Sequence, residues 1–200
     1  MTGPGLLETY DAERRPVGEL TVEQAFTRYV TRVAPYLGTE NTQPLVGDFS
    51  MEIGYRYNSP AVILEPGSHP LHEHPRESRG RPGARAPHVF LDRDGTRLST
   101  LDLFGRNFVL LAGPEGGAWH AAALAQADRL GVDLDAHVVG AGLDDADGCF
   151  LQAYGISPSG AVVVRPDGFV GWRAVDAAGM PERVLRRVLQ SLLCREDGKP

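Results

Sequence analysis

The sequence predicts an α/β fold in which a central sheet is flanked by helices. Three observations support it: an apolar run at residues 108–113, strand-like and helix-like segments that alternate around this run, and a proline-glycine turn between two later apolar segments. A continuous apolar run is typical of a strand covered on both faces. Strands joined by helices, followed by an antiparallel hairpin and a last helix, form an α/β sandwich.

The composition of the chain argues against some classes of protein. The chain has 200 residues, 42% of them hydrophobic, and a net charge of -6. This length suits one ordinary domain plus an extension, and the apolar fraction suffices for a core. The negative charge disfavours a nucleic-acid binder. No apolar run is long enough for a membrane span and the first residues lack the plan of a signal peptide, so we expect a cytoplasmic protein.

Residues 1–37 are predicted to form a helical extension. Pro16 has no backbone donor and is expected to kink or restart the helix. Thr21 and Gln24 have the spacing of a capping box, which would begin a second helical segment. That segment has an apolar stripe of helical period with little of the extension to pack against. The stripe consists of Val22, Phe26, Tyr29, Val30 and Val33.

Residues 38–86 are predicted to be a linker with one strand. The strand is expected at residues 51–57, where Ile53, Tyr55 and Tyr57 alternate with polar or small residues. The segment that follows is rich in Pro, Gly, His and Arg. Such a composition is typical of a linker or of a strap over a neighbouring surface.

The compact domain is predicted at residues 87–194, with a tail at 195–200. Strands are expected, in order, at residues 88–91, 107–113, 135–140, 161–165 and 169–173. Pro166 and Gly168 suit the first and last positions of the turn between the final two strands.

Three helices complete the predicted domain. They are expected at residues 118–130, at residues 148–154 and from Pro181 onward, where proline suits the first turn. Gly131 suits the C-terminal cap of the first of these helices. The last helix has a stripe that is predicted to be buried. This stripe consists of Val184, Leu185, Val188, Leu189, Leu192 and Leu193.

This order of elements resembles a thioredoxin-like sandwich without its dithiol. Where a C-x-x-C motif would follow the central strand, residues 114–123 read PEGGAWHAAA. The position of the usual cis-proline falls on Gly160, and Pro158 lies two residues early. Thiol–disulfide exchange therefore has no nucleophile here. Cys149 and Cys194 lie far apart in sequence, and we expect two idle or structural thiols rather than a disulfide.

Two clusters of polar residues contain possible metal ligands, but the sequence disfavours a metal site at either of them. His69, His72 and His74 could ligate zinc, but they lie among prolines without a nearby cysteine, so solvated histidines are expected. An acidic run around Asp147 is an incomplete calcium loop with no closing glutamate. Capping of the following helix by Asp147 is the preferred interpretation.

The remaining motifs also suggest no catalysis. Gly116 and Gly117 open a helix but lack the residues of a phosphate loop, and no nucleophile-elbow sequence occurs. A basic stretch lacks interleaved aromatic residues, so ion pairs with a partner domain are expected rather than nucleic-acid binding. It contains Arg76, Arg79, Arg81 and Arg85. We therefore assign no catalytic, cofactor-binding or metal-binding residue.

Three segments resemble particular parts of the members of one enzyme family. Residues 6–19 (LLETYDAERRPVGE) resemble the helix that closes the flavin-binding part of aromatic-ring hydroxylases of the para-hydroxybenzoate hydroxylase type. Residues 81–113 and 160–173 resemble the C-terminal thioredoxin-like domain of the same family. The nearest members would be polyketide hydroxylases of actinobacteria and, more distantly, phenol 2-monooxygenases.

The resemblance implies a non-catalytic role for this chain. Such enzymes use FAD and NAD(P)H to hydroxylate phenolic rings, but their cofactor motifs have no counterpart here, so no cofactor is expected in this chain. The implied role is structural, with a homodimer through the exposed N-terminal helix and a flavin-binding domain or subunit as a further partner. A stand-alone binding module that reuses the fold stays open as an alternative, as does a thiol oxidoreductase.

Overall fold

The computed structural model describes residues 3, 5–38, 40 and 42–195. The α-helices are α1 (Leu6–Arg32), α2 (Asp48–Glu52), α3 (Gly117–Leu130), α4 (Phe150–Tyr154) and α5 (Pro181–Leu192). The strands are β1 (Phe90–Arg93), β2 (Thr96–Ser99), β3 (Phe108–Ala112), β4 (Leu134–Val139), β5 (Gly142–Leu143), β6 (Ala161–Val164) and β7 (Val170–Ala174). Three short 3-10 helices lie at Pro35–Leu37, Pro75–Glu77 and Thr100–Leu103.

The central element is a five-stranded mixed sheet in the order β5-β4-β3-β6-β7. Strand β3 runs parallel to β4 and antiparallel to β6, and Leu110 at its centre pairs with Ala136 on one side and Val163 on the other. Strands β6 and β7 form the antiparallel hairpin. The prediction of an α/β sandwich around this apolar strand is thereby confirmed.

The hydrophobic core has two layers, one on each face of the sheet. Successive strand residues point to opposite faces. Val109 and Leu111 therefore belong to the layer that includes residues of β1 and α4. Leu110 and Ala112 belong to the layer that includes residues of α3 and α5. All four are fully buried, which explains why this strand has no polar alternation.

Two predicted helix ends are confirmed. Gly131 follows α3 with φ of 61°, and Gly155 follows α4 with φ of 59°. These left-handed conformations cost little for glycine and let the chain leave the helix. Pro181 occupies the first turn of α5, whose buried stripe is also as predicted.

Helix α1 is continuous through Pro16, so the helix does not restart there as one form of the prediction had it. Contacts with the rest of the chain hold the helix on both sides of the proline, by Glu13 before it and Gln24 after it. The predicted capping box was also wrong. Thr21 lies in mid-helix, where its hydroxyl donates to the carbonyl of Val17 at 2.8 Å.

The predicted strand at residues 51–57 was wrong. Helix α2 ends there, and Tyr55 makes only an isolated bridge with His72. Gly54 allows this tight passage, since a Cβ at this position would lie 2.0 Å from the carbonyl oxygen of Glu73. The alternating tyrosines instead cover Phe169, against which the ring of Tyr57 stacks at 4.1 Å.

Two stretches of the 38–86 segment, around Ile63 and around Gly83, lie along β7. The amide of Ile63 donates to the carbonyl of Gly171, and the amide of Gly83 donates to that of Val170, both at 2.8 Å. Bonds of this kind give the segment the form of a strap over the sandwich. Within the described part of the chain, no helix is long and apolar enough to cross a membrane.

Candidate functional site

The chain that leaves β3, just before the segment where a dithiol would follow, packs against a neighbouring loop. After β3, the amide of Gly113 donates to the carbonyl of Gly160 at 3.0 Å, and that of Glu115 donates to Pro158 at 2.9 Å. The indole of Trp119 donates to the carbonyl of Ser159 at 3.0 Å. A Cβ at Gly113 would lie 2.4 Å from the carbonyl oxygen of Pro158. A cysteine side chain at Gly113 would therefore require the neighbouring loop to move.

The two cysteines do not supply a substitute. Both are free: Cys149 is exposed, with its Sγ 3.4 Å from the carbonyl oxygen of Asp147, and Cys194 is partly buried. Burial raises the pKa of the Cys194 thiol above its ordinary value. Because the thiolate is the nucleophile, this shift lowers the reactivity of Cys194.

The turn that leads into α3 is held by backbone hydrogen bonds. Anion binding at a helix N-terminus requires free backbone amides, and the bonds found here involve the residues before the helix rather than the first helical amides of Gly117 and Ala118. Here the amide of Glu115 is bonded to Pro158, and that of Gly116 is bonded to Gly113 at 2.8 Å. The end of this helix is therefore a packed turn against the Pro158–Gly160 loop.

The histidine cluster is not a metal centre. His72 bridges to Tyr55, and Nδ1 of His74 accepts a hydrogen bond from the amide of Arg76 at 3.3 Å. Nδ1 of His69 is buried without a partner. Among the residues that the structure describes, no group of three His, Cys, Asp or Glu side chains could hold a metal ion.

The cap of α4 is Asp145, so the prediction of Asp147 was wrong. The carboxylate of Asp145 accepts from the amides of Cys149 at 3.1 Å and Phe150 at 2.8 Å. Asp147 pairs with Arg97 at 3.1 Å instead. The acidic run therefore combines a helix cap with a surface ion pair.

The junction between α1 and the sandwich is polar and buried. The guanidinium of Arg165 donates to both carboxylate oxygens of Glu13, at 2.5 and 2.9 Å. The hydroxyl of Ser59 donates to the same carboxylate at 2.6 Å. Burial opposes the charge of Arg165, but Glu13 and the nearby Asp167 outweigh it and raise its pKa above the ordinary value. This cluster attaches the helix to the turn of the β6–β7 hairpin.

A second polar contact holds the C-terminal half of α1. The amide group of Gln24 donates to the carbonyl of Pro44 at 3.0 Å and accepts from the amide of Val46 at 2.7 Å. Arg28 donates to the carbonyl of Val46 at 2.9 Å and pairs with Asp48 at 2.8 Å. The chain that follows α1 is therefore folded back along the helix.

The opposite face of α1 is apolar and exposed. Val22 and Val33 are 71% and 66% exposed, and Phe26 and Tyr29 are about half exposed. Of the predicted stripe, only Val30 is buried. Helix α1 thus turns mostly polar side chains toward the protein, while most apolar side chains of its C-terminal half face solvent. The inward side chains are Thr9, Glu13, Gln24, Thr27 and Val30.

The sequence indicated the apolar stripe but not the polar face behind it. The available signal was the helical spacing of four polar residues on the side opposite the stripe. Their partners lie far away in sequence: Arg165 is 152 residues from Glu13. Such a pairing cannot be seen from local spacing.

Comparisons with known proteins agree with this architecture. The family model described as "Aromatic-ring hydroxylase, C-terminal" matches residues 79–195. The chain is 52% identical over 199 residues to a 4-methyl-5-nitrocatechol 5-monooxygenase of a Burkholderia species, covering 96% of this chain and 36% of that protein. It is 47% identical over 191 residues to the aklavinone 12-hydroxylase RdmE of Streptomyces purpurascens, covering 94% and 36%.

A solved structure gives the same result. The crystal structure of aklavinone-11 hydroxylase in a ternary complex with FAD and aklavinone matches with a TM-score of 0.92 and 44% identity, covering 97% of this chain and 36% of that chain. The present chain thus spans about a third of the length of these relatives. On the match over residues 79–195 and on these relatives, the chain belongs to the aromatic-ring hydroxylase C-terminal family.

Proposed function

We propose that this chain is the non-catalytic C-terminal portion of a FAD-dependent aromatic hydroxylase and that its role is structural. The observation that supports this role best is helix α1, which is attached to the sandwich by polar contacts and presents an apolar stripe outward. An exposed apolar surface that is rigidly supported is typical of an association site.

The absence of suitable chemistry supports the non-catalytic part of the proposal. No cysteine lies in the segment 114–123 that follows β3, and Cys149 and Cys194 are both free. In this account FAD and NAD(P)H act in the other part of the hydroxylase. The substrate would be a phenolic or polyketide ring, in keeping with the names of the relatives, and the location would be cytoplasmic.

The proposed assembly is a homodimer in which two copies of α1 bury their stripes against each other. Val22, Phe26, Tyr29 and Val33 follow one another at intervals of three or four residues, so they form one face of the helix. The stripe extends over residues 22–33, about three turns of helix, which is the length that the two copies would bury. A flavin-binding domain is a further proposed partner of this chain.

A cofactor assay tests the non-catalytic role. The chain is purified, mixed with excess FAD, passed over a desalting column and examined for flavin absorbance. It is then supplied with NADH or NADPH and a phenol, and the nicotinamide absorbance is followed. We expect no retained flavin and no consumption of the nicotinamide. Flavin retained at one equivalent per chain would refute the proposal.

A further inference from the structure

A large cleft lies away from α1, at one end of the sandwich. It is bounded by α2, the Pro75–Glu77 turn, the segment at residues 85–88 and the tip of the β6–β7 hairpin. Its volume is about 1010 Å³. Small-molecule sites have volumes of roughly 300–1,000 Å³, so this cleft can hold a ligand of several rings.

One wall of the cleft is apolar. Phe49 and Leu101 are 69% and 50% exposed. They line the cleft together with other apolar residues. These are Ile53, Ala86, Pro87, Phe104 and Ala153. The wall therefore offers contact area to an aromatic or aliphatic body.

The cleft also concentrates positive charge in an acidic chain. Arg76, Arg79 and Arg85 line it, although the net charge of the chain is -6. Asp167 is the acidic residue of the lining, and its carboxylate is bonded to Arg165 at 2.6 and 3.2 Å. Within the described chain, the guanidinium groups of Arg76 and Arg79 pair with no carboxylate. The lining thus has a positive charge that its own carboxylate does not balance.

Arg85 is held in a fixed orientation. Its Nη2 donates to the hydroxyl of Tyr55 at 2.5 Å. The guanidinium carbon lies 5.1 Å from the centre of the Tyr55 ring and 4.9 Å from that of Phe169. A guanidinium has five N–H donors, so Arg85 keeps donors for a ligand. A donor that is already oriented loses little entropy when it binds a carboxylate.

The imidazole of His74 adds a donor to this lining. Its Nδ1 accepts from the amide of Arg76 at 3.3 Å, which leaves Nε2 as the ring nitrogen that can donate to a ligand. We propose that the cleft is a binding site for an amphipathic organic anion, which has an aromatic body against the apolar wall and a carboxylate among Arg76, Arg79 and Arg85. This site is separate from the α1 stripe and does not depend on the role proposed for that helix.

Nuclear magnetic resonance on the isotope-labelled chain tests the site. The probes are 2-naphthoate and its uncharged counterpart 2-naphthamide, which have the same ring system. We expect naphthoate to shift the amide signals of residues around Gly105 and Gly168, and to bind about tenfold more tightly than naphthamide, as charge-assisted hydrogen bonds require. Equal affinities, or no shifts with millimolar naphthoate, would overturn the proposal.

Arginine variants localise the binding. Arg76→Ala combined with Arg79→Ala should weaken naphthoate at least about fivefold and leave naphthamide unchanged. The matched control is Arg129→Ala combined with Arg186→Ala, which removes the same charge from exposed positions outside the cleft. Because all four side chains are exposed, both variants should fold. Equal weakening in both would indicate attraction to overall charge and would contradict a specific site.

Discussion

Glu13 in α1 and Arg165 beside the β6–β7 turn form a two-point ion pair across 152 residues of sequence, with N–O distances of 2.5 and 2.9 Å. Only 6% of the Glu13 side chain and 13% of that of Arg165 are exposed. This contact makes the helix part of the sandwich rather than a detached extension. It also fixes which face of α1 points to solvent.

Removal of one partner of this pair should destabilise the chain strongly. Arg165→Met leaves the Glu13 carboxylate buried without its main donor, and we expect a loss of about 3–5 kcal/mol in the free energy of unfolding. Asp11→Ala, which breaks the exposed pair with Arg15, should leave the stability almost unchanged. Urea unfolding measures the stability loss of each variant. Similar losses would contradict the larger contribution expected from the buried pair.

The double variant Glu13→Gln with Arg165→Met provides a further control. It removes the charge that Arg165→Met leaves unpaired, so part of the lost stability should return. Strict additivity of the two single changes would contradict the coupling that the geometry indicates.

Substitution by alanine should change the stability in different ways at Gly113 and at Gly117. Gly113→Ala would place a Cβ 2.4 Å from the carbonyl oxygen of Pro158, and we expect a cost of about 1–3 kcal/mol. Gly117→Ala meets nothing within 4 Å in the first turn of α3, so it should be neutral or stabilising by up to about 1 kcal/mol. Thermal unfolding of both variants checks this. A tolerated Gly113→Ala would contradict the closed packing.

We expect the folded chain to lose stability in mild acid because of His137. Burial, with help from the charge of Arg93, lowers the pKa of this histidine below its ordinary value of 6.5. The unfolded chain therefore binds the proton more tightly than the folded one, so this contribution is present above about pH 6.5 and is lost as the pH falls. Urea unfolding from pH 7.5 to 5 should show a shallower decline for His137→Gln. An unchanged slope would contradict this cause.

Local signals predicted most of the sandwich. The apolar run at residues 108–113, the cap at Gly131 and the turn before Gly168 each depend on neighbours in sequence, so the chain pattern was enough. The strand predicted at residues 51–57 was wrong because alternating tyrosines are not specific to strands. Here they cover a single ring, that of Phe169. The helix was not predicted to continue through Pro16, because the contacts that hold α1 on both sides of this residue come from distant parts of the chain.

The proposed sites differ in how visible they were in the sequence. The stripe of α1 has a helical period and was predicted. The arginine-lined cleft joins residues from six separate segments, and its volume depends on how α2 and the hairpin tip are packed. The sequence showed the basic stretch that contains Arg76 and Arg79 but not the apolar residues that line the same cleft.

The central claim is that the outward face of α1 is an association surface, and light scattering coupled to size-exclusion chromatography tests it most directly. The unaltered chain should elute with the mass of a dimer. Val22→Glu combined with Val33→Glu should elute as a folded monomer, whereas Leu124→Glu, at an exposed apolar position on α3, should remain a dimer. A monomer mass for the unaltered chain at every concentration would contradict the claim.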